Sequence, residues 1–397
     1  MKRKSVCLIA QGMVKNNLRL QPWRYLSEVA SGLAELGHEV TVISDGNEKG
    51  QIQNLLNQVS IHPLVSVRNP IWHRNASLQA LLTRLDPDVI LWHVGLLSFL
   101  HQRLEGPPKT PIIGIFTSPL YRPKHFLRLG IGKLATNYQL TTYHLIGSLL
   151  PRMLLRNCMV NSGLSSLVVQ TETTRDQLCK RRLWFADIEV ISPGIDQAWF
   201  MTTAKNNRDL RNALGYEPGD VLIVFYGSPA PLRGLPILVE AFNYAHKINP
   251  SLHLLILSRC RPGELQQENS ALERLVSSSQ FHQYIQLIDG YLDQERLIAH
   301  VATADITVHP FELVPSDAPI APLESAALGK PVVTTRVGCL PELVSGAESY
   351  LFEPADPVAL SQALLQAAQD KGTATGQTYN RTWQEMASEW SDLIQAL

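Results

Sequence analysis

The chain has 397 residues, 45% hydrophobic and 18% charged, which suits about two globular domains with sizeable cores. Its 35 Lys and Arg balance its 35 Asp and Glu, so net charge points to no polyanionic partner. The five cysteines (Cys7, Cys158, Cys179, Cys260 and Cys339) are scattered without a CxxC pair, which argues against a disulfide scaffold or a zinc finger and for a reducing cytoplasm.

The opening MKRKSVCLIAQG has a basic start, but its apolar run, Val6 to Ala10, is too short for a secretory leader and lacks a small-residue cleavage site. It reads as a first buried strand. In WRYLSEVASGLAELG, the residues Trp23, Leu26, Val29, Ala30, Leu33 and Leu36 share one helical side, and Gly37 stands where a terminating glycine belongs. HEVTVIS, DVILWH, PIIGIF and SLVVQT follow as short apolar strands. Strands alternating with helices imply right-handed βαβ units and a parallel sheet. The polar stretch ISPGIDQAWFMTTAKNNRDLRNALGYEPGD reads as a hinge. The pattern then restarts with VLIVFYG, the helix LPILVEAFNYAHKI, and the strands LHLLILS, YIQLIDG, DITVHPF and PVVTT. The expected fold is α/β, with two doubly wound Rossmann-like parallel-sheet domains, 1–196 and 197–375, facing a cleft. TWQEMASEWSDLIQAL, within 376–397, is an amphipathic helix free to pack back on the N-terminal domain. Ligands of such sheets bind at the carboxyl ends of the strands. No transmembrane helix is expected, since nothing approaches about 18 uncharged apolar residues.

Three features invite a chemical reading. In SDAPIAPLESAALGKPVV, Pro322 suits a first helical turn and Gly329 a helix end. Glu324 is then expected in the first turn, at the carboxyl end of DITVHP. A helix start attracts phosphate, and a carboxylate one turn away suits a pair of sugar hydroxyls, as on a ribose. The plain alternative is a glutamate answering the helix dipole. His93 ends the strand DVILWH at the cleft edge, as either a site residue or a satisfied core histidine. Asp86-Pro-Asp88 has metal-motif spacing, but Pro and Asp before a strand are ordinary turn chemistry, and no metal site is expected.

Between Glu105 and Glu172 there is no acidic residue. The stretch carries Arg122, Lys124, Arg128, Lys133, Arg152 and Arg156 among apolar side chains. Such a segment suits an anionic membrane surface, or else a core helix whose basic residues are solvated or hold an anionic acceptor. Nucleic acid is not expected as a partner, since no fold signature for it is present.

The segment SDAPIAPLESAALGKPVVTTRVGCLPELV resembles the donor-binding segment of the retaining glycosyltransferases of family 4, which have the GT-B fold. ISPGID, YGSPAPLRGLPILVEAF and IQLIDGYLDQERLIAHVATADITVHP are similar to further landmarks of that family, in the same order. The resemblance spans nearly the whole chain and is stronger after residue 165. It implies transfer of a hexose from a UDP- or GDP-sugar to a hydroxyl of a glycan or glycolipid, without metal or cofactor, the nucleotide-sugar being a co-substrate. With the scattered cysteines and the acid-free basic stretch, such an enzyme is expected in the cytoplasm, with the inner face of the membrane as a surface on offer. The resemblance implies that Glu324 binds the ribose, that Arg233 and the loop around Gly227 and Ser228 face the diphosphate, and that Ile320 and Ala321 offer backbone to phosphate or sugar oxygens. Gly12 would let the donor approach closely, and Gly290, Tyr291 and Leu292 would lie along the base. Three positions depart from the family pattern. Ser316 stands where the family has its first Glu, with Asp317 beside it as a replacement. Ser228 stands for an Arg, and Thr117 for a His on the acceptor or sugar side. These departures keep open a nucleotide-binding protein that no longer transfers; a nucleotide-sugar epimerase on the same fold is a further reading, with no paired acid and base to favour it.

Overall fold

The computed structural model describes residues 2–14, 17–18, 20–45, 56, 58–64, 75–101, 106–107, 109–127, 129, 138–184, 187–202, 207–258, 266–290, 292–370 and 379–397. Its strands are β1 (Ser5–Ile9), β2 (Glu39–Asp45), β3 (Ser60–Leu64), β4 (Val89–Val94), β5 (Ile112–Phe116), β6 (Ser166–Val169) and β7 (Ile188–Val190) in the first half. The second half has β8 (Val221–Gly227), β9 (Leu252–Ser258), β10 (Ile285–Asp289), β11 (Ile306–His309), β12 (Val332–Thr335) and β13 (Ser349–Phe352). The helices are α1 (Trp23–Glu35), α2 (Ala76–Leu85), α3 (Ser98–His101), α4 (Pro123–Leu127), α5 (Tyr138–Leu149), α6 (Arg152–Val160), α7 (Glu172–Lys180) and α8 (Ala198–Met201). They continue as α9 (Asn207–Ala213), α10 (Leu235–Ile248), α11 (Gln266–Ser277), α12 (Gln294–Ala302), α13 (Ile320–Ala327), α14 (Leu340–Leu343), α15 (Pro357–Gln369) and α16 (Trp383–Ala396).

Both sheets are wholly parallel. Their strand orders are β3-β2-β1-β4-β5-β6-β7 and β10-β9-β8-β11-β12-β13. Each sheet therefore reverses direction beside its first strand, between β1 and β4 and between β8 and β11, and a crevice opens there at the carboxyl ends. The strands read as unbroken apolar runs because helices cover both faces; every residue of β8 is buried. Two core layers flank the first sheet and two flank the second.

The polar stretch after β7 is not a bare linker. Ile195 and Trp199 are buried, and the Trp199 indole stacks on Tyr226 of β8 with ring centroids 5.9 Å apart. α16 crosses back to the first domain, where Trp383, Met386, Trp390 and Ile394 join the core beside α1. Its start is fixed by a reciprocal cap between Thr382 and Glu385. The Trp390 indole donates to the Tyr25 hydroxyl at 3.0 Å, and the His38 ring pairs with Ser391 at 2.9 Å. Among the described residues no helix is long and apolar enough to cross a membrane.

Candidate active site

The second domain builds the richer half of the cleft. β8 ends at Gly227, and the chain passes Ser228 to a 3₁₀ turn, Pro231–Arg233, before α10. Gly234 adopts φ +76, and a Cβ there would collide with the Pro310 carbonyl. Only glycine lets the loop lie this close to the end of β11. The Arg233 guanidinium then rests over the Phe311 ring, 4.8 Å from its centroid, and beside the bare backbone of Gly227. The Ser228 hydroxyl accepts from the Ala230 N–H at 3.3 Å. Neither α10 nor α13 has a side-chain cap, so both present helix N–H groups at the carboxyl ends of adjacent strands.

α13 begins at Ile320, two residues earlier than Pro322 suggests. Glu324 therefore lies in the second turn, not the first, and is half-buried. Packing fixes the helix. The Tyr226 hydroxyl donates to the Ala321 carbonyl at 2.6 Å, and the buried His309 ring pairs with Ser325 at 2.9 Å. Burial, with Arg233 nearby, lowers the His309 pKa to about 3, so this ring is a neutral brace at pH 7. Ile320 packs against the cores of both domains. Gly290, at φ +109, faces open space, while Leu292 is buried in the core; Tyr291 lies outside the described residues.

The first domain contributes the ends of β1, β4, β5 and β6. Gly12 turns at φ +70, and a Cβ there would press on the Trp23 indole, so the glycine serves packing as well as approach. The His93 ring pairs with the Thr117 hydroxyl at 2.8 Å, which brings those two together beside the second domain. The Thr117 carbonyl accepts from the Asp317 N–H at 2.8 Å. Arg122 and Lys124 are exposed around α4; Arg128 and Lys133 lie outside the described residues.

Asp317 departs from its expected place on the donor. It is buried, and its carboxylate accepts from the Gln170 N–H at 2.9 Å, from the Thr171 hydroxyl at 2.8 Å and from the Thr174 hydroxyl, all in the first domain. Burial raises its pKa to about 7 against the lowering effect of these three bonds. Glu342, to which no local sequence signal gives a role, accepts from the Glu172 and Thr173 N–H groups at 2.8 and 2.7 Å. Two carboxylates of the second domain thus answer the positive start of α7. Tyr121 adds a third tie, donating to the Val314 carbonyl at 2.9 Å and accepting from the Val314 N–H at 2.7 Å. A mixed apolar cluster of Tyr121, Phe126, Leu129, Leu232, Phe311 and Leu313 lies around it. At this junction the Ser316 hydroxyl and the Gln170 side-chain amide are buried without a hydrogen-bond partner among the described residues. Gln170 is a second residue that sequence reasoning missed.

Asp86 and Asp88 sit at the opposite ends of the strands, where the Asp88 carboxylate accepts from the Ser5 N–H at 2.7 Å. That is turn and strand-start chemistry. Among the described residues no three His, Cys, Asp or Glu side chains gather into a metal-binding group.

A family profile described as Glycosyltransferase Family 4 matches residues 23–199, and one described as Glycosyl transferases group 1 matches residues 220–370. A D-inositol 3-phosphate glycosyltransferase of Segniliparus rotundus is 27% identical over 160 residues, covering 40% of this chain and 34% of the relative. One of Corynebacterium efficiens is 28% identical over 222 residues, covering 52% of this chain and 50% of the relative. The chain therefore spans half or less of the length of these curated relatives. The crystal structure of Anabaena HepE in complex with UDP and glucose aligns over 100% of both chains, with a TM-score of 0.66 at 15% identity, a likeness of fold. With one profile on each sheet domain and the GT-B arrangement of the two, the chain belongs to the group 1 glycosyl transferases of family 4.

Proposed function

We propose that this protein is a retaining hexosyltransferase that moves a sugar from a UDP- or GDP-sugar to a hydroxyl of a glycan or glycolipid. One arrangement carries the reading. The Arg233 guanidinium and the uncapped starts of α10 and α13 gather at the ends of β8 and β11, with Glu324 one turn into α13. Cationic and N–H groups suit a diphosphate, and a carboxylate a turn away suits the ribose hydroxyls. The UDP and glucose held by the Anabaena fold neighbour are consistent with such a donor. On this reading the second domain binds the nucleotide and the first, through His93 and Thr117, faces the acceptor.

The reaction would run with the diphosphate as leaving group. Arg233 and the helix N–H groups meet the charge that develops on it, so the reading assigns this task to the protein rather than to a metal ion. Both oxygens of the Asp317 carboxylate are engaged by the first domain, so Asp317 is not placed to act as a covalent nucleophile. The acceptor hydroxyl would then attack from the side the diphosphate leaves, passing its proton to that phosphate. Among the described residues, the Ser316 hydroxyl and the Gln170 amide would offer hydrogen bonds at the junction to sugar hydroxyls.

Replacing Arg233 by Met is expected to lower kcat roughly a hundredfold or more, and by Lys much less, because one preorganised positive group on the leaving oxygens is lost. Steady-state kinetics with the preferred donor checks this; a Met variant with unchanged kcat would remove Arg233 from the role. Nucleotide binding without transfer is the second reading, favoured by the same engagement of Asp317. It is separated from the first by whether any nucleotide-sugar is turned over.

A further inference from the structure

We infer that α4, α5 and α6 form a docking face for an anionic lipid bilayer, with the acceptor side of the cleft directly behind it. Leu127 is 83% exposed, Leu149 62% and Met153 77%. Ile146 is also exposed and shares the outer side of α5 with Leu149, three positions on. Met153 follows across the short Leu150–Pro151 junction that opens α6, and Leu127 ends α4, which packs on α5. Large apolar side chains this exposed on three successive helices are unusual on a surface that stays in water.

The charge around them selects the occupant. Lys124 and Arg152 are exposed beside Leu127 and Met153. No Asp or Glu occurs anywhere between Glu105 and Glu172. Apolar tips flanked by cations, on helices that carry no carboxylate of their own, match lipid headgroups above acyl chains.

The inner side of α5 ties this face to the site. Gly147 lies against Leu96, and the Tyr143 hydroxyl fills the space beside Gly95 and accepts from the Leu97 N–H at 3.4 Å. These residues belong to the loop that leaves β4 just after His93. A bilayer against the outer side of α5 would thus hold a lipid-linked acceptor one helix away from His93 and Thr117. That consequence rests on the transferase reading; the docking itself does not.

Flotation of the full chain with vesicles of phosphatidylcholine, with and without phosphatidylglycerol, tests the docking without any sugar donor. The protein is expected to float with the anionic vesicles only, and less as salt is raised. The double substitution Leu149→Asp, Met153→Asp is expected to lower partitioning about tenfold or more, and Arg152→Glu about fivefold or more. These positions are exposed, so melting temperature and UDP affinity should match wild type, which separates lost docking from lost folding. Absence of flotation at low salt, equal capture by neutral vesicles, or a double variant that floats like wild type would overturn the proposal. A stable dimer dissolved by the same substitutions would give this face to a second copy of the chain and overturn it equally.

Discussion

Glu324→Ala is expected to weaken UDP or GDP binding roughly a hundredfold to ten-thousandfold while leaving the fold intact. Each hydrogen bond from a ribose hydroxyl to a carboxylate contributes about 1.5–3 kcal/mol, and about 1.4 kcal/mol is a factor of ten in affinity. Two such bonds lost together give that range. The helix should not suffer. Glu324 is half-buried in the second turn of α13, alanine is the better helix former, and Tyr226 and His309 hold the helix from below. Glu324→Gln keeps one acceptor oxygen and should fall between. Titration calorimetry with a melting curve for each variant checks both halves. A nucleotide affinity within a few-fold of wild type would take Glu324 off the ribose.

Asp317→Ala is expected to cost roughly 3–5 kcal/mol of stability, because it strips the acceptor from three buried donors at once. Gln170, Thr171 and Thr174 would lose their partner, and Glu342 alone would answer the start of α7. Urea unfolding measures the loss, and faster hydrogen exchange at the Gln170 amide localises it to the domain junction. A loss below about 1 kcal/mol with unchanged exchange would show the contact to be incidental. The pH dependence has a definite sign. Burial raises the Asp317 pKa to about 7, above that of the unfolded chain, so the native state retains a proton that the unfolded state has released. Its stabilising contribution is complete below the ordinary carboxylate pKa and is lost as pH rises to about 7. Asp317→Asn has no such slope. Its stability relative to wild type should therefore improve between about pH 4 and pH 7, by an amount on the order of a few kcal/mol.

The central strands could be read from the sequence because burial on both faces makes them continuous apolar runs. The strands it hid are β3, β7 and β13, all at sheet edges. β3 carries Pro63, β7 is three residues long, and β13 is four. An edge strand needs only one bonded side and tolerates such residues. The start of α13 was misplaced because proline fits any position in a first turn whose N–H has no helical partner. Glu324 and Arg233 could be singled out as candidates because each lies in a short continuous segment of chain. Asp317 and Glu342 were not legible in their actual roles. Their partners lie more than 140 positions away in the other domain, and nothing local marks a carboxylate as a clamp on a distant helix.

The most direct test is nucleotide release from a panel of UDP-, GDP- and ADP-sugars, with and without a membrane lipid extract. One UDP- or GDP-sugar is expected to be consumed faster when acceptor lipid is present, and Glu324→Ala to abolish this release. No release from any donor by a folded protein that binds UDP or GDP through Glu324 would contradict transfer and leave a nucleotide-binding protein in its place.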